Sequence, residues 1–149
     1  MKPSHSVLLL ALMLASVFPA QASAQPSPTC PGPITLPDWP DGAAAVTDKG
    51  LSLGAPARIV LERRADGSFA GQAALEIERA GHYEISLGGP AWVDVSKDGV
   101  TLASQSHRHG PACSGIRKIV TFSLQPGMYE VRLSRSSAPA VQAMVTPVP

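Results

Sequence analysis

The sequence predicts an all-β protein, an antiparallel β-sandwich of seven to eight strands, and three observations carry that prediction. Apolar residues recur with period two in several short runs, turn-forming pairs separate those runs, and no amphipathic helix with a cap is found beyond the N-terminal leader. Short strands at such intervals match an immunoglobulin-like or a jelly-roll sandwich.

The first 24 residues read as a signal peptide. Lys2 precedes an apolar run over residues 7–18, and Ala22-Ser23-Ala24 supplies the small-x-small form of a cleavage site, so cleavage is expected after Ala24. The run is shorter than the roughly 20 apolar residues a membrane span needs, and no later segment is longer. A periplasmic or secreted protein without a membrane span is expected. Removal of Lys2 leaves eleven basic and eleven acidic residues, and this neutral balance argues against nucleic acid as a partner.

Residues 25–50 form a proline-rich arm. Pro26, Pro28, Pro31, Pro33, Pro37 and Pro40 remove backbone donors and fix φ, which excludes a helix or a central strand. At most a weak helical turn is expected near residues 41–46. Cys30 and Cys113 are the only cysteines, and in an oxidising compartment they are expected to pair, tying the arm to the body and letting Ile34, Leu36 and Trp39 pack along it. Two free thiols serving as nucleophile or metal ligands are the alternative.

Residues 51–149 are the sandwich domain. Ile59 and Leu61 alternate with Val60 and Glu62, and Tyr83, Ile85 and Leu87 with His82, Glu84 and Ser86. Val93 and Val95 alternate with Trp92, Asp94 and Ser96. Further on, Val120, Phe122 and Leu124 form one such run, and Tyr129, Val131 and Leu133 another. Asp98-Gly99 between Val95 and Val100 suits a type I′ hairpin, since both turn positions need positive φ. Asp66-Gly67, Gly88-Gly89-Pro90 and Pro126-Gly127 mark further turns.

Chemistry concentrates in residues 106–118. His107 and His109 stand at i and i+2, so on an extended backbone both imidazoles face one side and could share iron, copper or zinc, with His82 or Glu84 completing the set. The other reading is a pair of solvated loop histidines with no cofactor. Ser114 after Cys113 could serve as a nucleophile with a histidine base, but it lacks a nucleophile-elbow setting, and a simple turn through Ser114-Gly115 is the plainer reading. Arg108, Arg117 and Lys118 offer a basic patch for a small anion or a sulfated glycan, although alternation would place Arg117 and Lys118 on opposite faces if both lie in a strand. Structurally, Arg117 could instead pair with Asp94 or another carboxylate near the loop. Trp92 and Asp94 share a strand face, either as a sugar-binding pair or with Trp92 in the core.

The runs at residues 80–87, 91–95 and 124–133 resemble secreted bacterial sandwich modules of the pre-peptidase C-terminal kind, in which Gly-x-Tyr strand starts recur. More narrowly, residues 91–95, 107–118 and 124–129 are similar to a group of small exported proteobacterial proteins, some of which bear the label homogentisate 1,2-dioxygenase. That dioxygenase is a cytosolic cupin several times longer, and its motifs for an iron held by two histidines and a glutamate are not found in this chain. The resemblance implies a sandwich fold and an accessory role. The functional expectation is a non-enzymatic binding or accessory module of the cell envelope, its partner an envelope protein, a glycan or a small anion. The interaction residues are expected to be His107, Arg108, His109, Arg117 and Lys118, with Trp92 and Asp94 beside them. The alternative is a small metal-dependent enzyme using His107 and His109.

Overall fold

The computed structural model describes residues 45–47 and 50–149. The leader, Cys30 and the proline-rich stretch with Ile34, Leu36 and Trp39 lie outside the described residues. Eleven strands follow in order: β1 (Ala45–Thr47), β2 (Ala57–Val60), β3 (Glu62–Arg63), β4 (Phe69–Ile77), β5 (Gly81–Leu87), β6 (Trp92–Lys97), β7 (Val100–Thr101), β8 (Ser106–Arg108), β9 (Lys118–Leu124), β10 (Gly127–Ser136) and β11 (Ala140–Pro147).

Their pairing is nested. β2 pairs with β11, β4 with β10, β5 with β9 and β6 with β7, all antiparallel. This is one long folded hairpin, rolled up so that β5 also meets β11 and β6 also meets β10. Two sheets result, β1-β2-β11-β5-β9-β8 and β3-β4-β10-β6-β7. Of the two sandwich types the sequence allows, this winding is the jelly roll. β1 joins β2 in parallel and occupies part of the stretch where a weak helical turn was expected. The strands outnumber the seven to eight expected because β1, β3, β7 and β8 are only two or three residues long. Among the described residues these four short strands are the sheet edges, and the seven others have four residues or more.

The period-two residues fill the space between the sheets. Ile85, Leu87 and Leu124 from the first sheet and Leu75, Val95, Val131 and Leu133 from the second are fully buried. Each such side chain contributes about 1.5–3 kcal/mol relative to exposure. Leu61 marks where the chain passes from the first sheet to the second. It is buried, and its N–H donates to the carbonyl of Pro139 at 2.8 Å. Gly71 of β4 lies against this crossing. A Cβ there would stand 2.9 Å from Leu61 Cδ2 and 3.1 Å from the Val60 carbonyl oxygen, the close approach that a glycine within a strand serves.

The two Gly-x-Tyr motifs act alike. The buried Tyr83 donates its hydroxyl to the carbonyl of Arg79, and the buried Tyr129 donates to the carbonyl of Gln125 while accepting from the Gln125 N–H. Both hydroxyls thus tie a strand to the backbone four residues upstream, as in a tyrosine corner. The β6–β7 hairpin turns through Asp98 (φ 52°) and Gly99 (φ 80°), both in the positive region a type I′ turn requires.

Candidate functional site

The β8–β9 connection carries the histidine-rich stretch, and its shape is set locally. Ser114 is buried. Its hydroxyl donates to the Pro111 carbonyl at 2.7 Å and accepts from the Ile116 N–H at 3.1 Å. Cys113 (φ 65°) and Gly115 (φ 73°) both take the left-handed conformation around it. The hydroxyl proton of Ser114 is therefore held by a backbone carbonyl, and Ser114-Gly115 turn the chain. Gly110 packs so closely on Ile116 that a Cβ would collide with its side chain and carbonyl oxygen. Among the described residues no cysteine is free.

This connection meets the β5–β6 turn in a cavity of about 300 Å³. One wall consists of His107, Arg108, His109, Arg117 and Lys118, the five residues expected to interact. Gly89, Pro90 and Ala91 complete the lining, and no Asp or Glu contributes to it. Arg117 and Lys118 do not fall on opposite faces, because β9 begins at Lys118 and Arg117 precedes it in the loop. The Arg117 N–H donates to the Leu87 carbonyl at 2.8 Å, which fixes the loop to the end of β5.

The charges in the cavity are not equivalent. Arg108 forms a two-pronged ion pair with Glu84, Nη2 lying 3.0 and 2.9 Å from the two carboxylate oxygens. The Lys118 ammonium sits 4.6 Å from the centre of the Trp92 ring, a cation–π contact rather than an ion pair. Arg117 forms none of the ion pairs found among the described residues. His109 Nδ1 lies 3.2 Å from the Arg117 carbonyl oxygen. A carbonyl can only accept, so Nδ1 is the donor in this contact.

Trp92 is half exposed rather than in the core. Its indole N–H donates to Asp94 at 3.0 Å, and Arg135 as well as Lys118 lies over its ring. Asp94 is thus engaged by Trp92, and no ion pair joins it to Arg117. Instead Asp94 lines a second concavity of about 560 Å³ on the outer face of the second sheet, with Ser96, Asp98, Thr101, Glu130 and Arg132. The seven residues expected at one site therefore divide, with Trp92 in contact with Lys118 and Asp94 turned to the other concavity.

His82 is not brought to His107. It pairs with Ser123 of β9, whereas His107 pairs with Val120, three residues along the same strand. Glu84, the carboxylate considered for a metal set, is held by Arg108. Among the described residues no three His, Cys, Asp or Glu side chains are grouped to hold a metal ion.

The apolar wall was not expected from the sequence, where Gly88-Gly89-Pro90 reads only as a turn. The pairing of Glu84 with Arg108 also has no local signal, since 24 residues separate them. No helix among the described residues is long and apolar enough to cross a membrane. No protein-family model matches the chain, and neither a curated protein nor a solved structure matches it.

Proposed function

We propose that this chain is an exported, non-enzymatic β-sandwich module of the cell envelope, periplasmic or secreted, that binds a ligand or partner through the cavity between the β5–β6 turn and the β8–β9 connection. The observation that carries this reading is that His107, Arg108, His109, Arg117 and Lys118 all line that one cavity, without an acidic residue among them. A Cys30–Cys113 disulfide belongs to the same reading. Cys30 is the only other cysteine in the sequence, and Cys113 is not free. The Gly-x-Tyr strand starts at residues 81–83 and 127–129, which resemble those of exported sandwich modules, are the sequence ground for an accessory role.

Elemental analysis of the purified mature protein tests the non-enzymatic reading. The expected result is no stoichiometric iron, copper or zinc, in the parent or in a variant combining His107→Ala and His109→Ala. Metal at one equivalent that disappears in the variant would overturn this reading in favour of a metal-dependent enzyme.

A further inference from the structure

The cavity has a chemistry more specific than positive charge, and we infer that it takes a small carboxylic acid with an apolar body, its carboxylate held by Arg117 and Lys118. The inference rests on the proposed binding role of this cavity and adds the class of ligand.

Charge comes first. Of the three Arg and Lys side chains in the lining, Arg108 is paired with Glu84 across two hydrogen bonds. Arg117 and Lys118 are left without an anionic partner among the described residues, and no acid lines the space before them. Lys118 is half-buried and held against Trp92, so little of its rotamer freedom is left to lose on binding. A guanidinium and a held ammonium lining one cavity suit a planar carboxylate, which Arg can meet with two parallel hydrogen bonds.

Phosphate fits less well. Phosphate sites draw heavily on backbone N–H groups. Here the Arg117 N–H is taken by the Leu87 carbonyl and Pro90 has none, so neither of these lining residues can offer a backbone donor. Size and lining then define the rest of the ligand. A cavity near 300 Å³ is at the small end of ligand pockets, and Gly89, Pro90 and Ala91 share its lining with the cations and offer apolar contact. A bare inorganic anion would leave that contact unused.

Four probes separate these features on the full mature chain: benzoate, its neutral counterpart benzamide, acetate, and inorganic phosphate, each titrated by calorimetry and followed by NMR shifts of His107, His109 and Arg117. The expected result is saturable benzoate binding at least about tenfold tighter than the other three. It should weaken with added salt, and roughly tenfold or more in Arg117→Gln, with partial recovery in Arg117→Lys. If Arg117→Gln does not fold, Lys118→Gln and the salt series make the same test. Benzamide binding as well as benzoate would overturn the need for charge, acetate doing so would overturn the apolar body, and phosphate binding more tightly would overturn the carboxylate. In those three cases the cavity is still a binding site. If no probe moves these resonances at about 10 mM the carboxylate inference falls, whereas the non-enzymatic reading stands or falls separately on the elemental analysis.

Discussion

Tyr129 and Tyr83 differ by one hydrogen bond, and that difference sets their relative value. Tyr129 both donates to and accepts from the backbone of Gln125, whereas Tyr83 only donates, to Arg79. Replacement of either by Phe removes a nearly buried hydroxyl. Tyr129→Phe also leaves the Gln125 N–H without its partner. Tyr129→Phe is expected to cost about 1–3 kcal/mol in urea denaturation and Tyr83→Phe about 0.5–1.5 kcal/mol. Equal losses would mean that the acceptor half of the Tyr129 bond contributes nothing. Glu84 offers a second test at this scale. Glu84→Gln removes the charge that neutralises Arg108, at a stability cost of about 1 kcal/mol or less because Arg108 is half exposed. Benzoate should then bind several-fold more tightly in calorimetry, since a third cation faces the cavity. Asp66 adds a pH effect. Its carboxylate accepts from both the hydroxyl and the N–H of Ser68, which hold it below the usual aspartate range. Because its folded value is depressed, its contribution to stability is present above the ordinary aspartate pKa and is lost as pH falls through the folded one. In acid titrations Asp66→Asn should therefore flatten the stability profile only below about pH 4.

At the scale of elements, the β8–β9 connection depends on contacts that allow little substitution. Gly110→Ala is expected to displace Ile116 and disorder the cavity wall, seen as lost benzoate binding and faster proteolysis between residues 109 and 117 with the core strands intact. Strand legibility varied for a physical reason. β5, β6, β9 and β10 were plain in the sequence because large or β-branched residues mark their inner faces, as in Tyr83-Ile85-Leu87. β4 and β11 lacked that marking. Their inner faces use Ala73 and Ala143 among larger residues, and alanine is a poor strand signal. The edge strands β3 and β8 are wholly exposed and so show no alternation. The site was partly legible for a related reason. Five of its residues are close in sequence, whereas Pro90, Ala91 and Glu84 reach it only through the pairing of β5 with β9 and the fold of the following turn.

At the scale of the whole molecule, the proposed disulfide gives the largest predicted effect. Closing a ring of this length contributes roughly 4 kcal/mol in the chain-entropy picture. Reduction of the mature protein is then expected to lower Tm by roughly 10 °C or more. An unchanged Tm, together with two thiols open to alkylation before reduction, would remove the Cys30–Cys113 link. The nested winding has a different consequence. Among the described residues both sheets end in strands of two or three residues, so none of these edge strands is itself long enough for a neighbouring chain to extend far. Association of this protein in a crowded compartment should therefore proceed through side chains on its faces and loops, and concentrated solutions should resist conversion to cross-β fibrils as long as the roll stays closed.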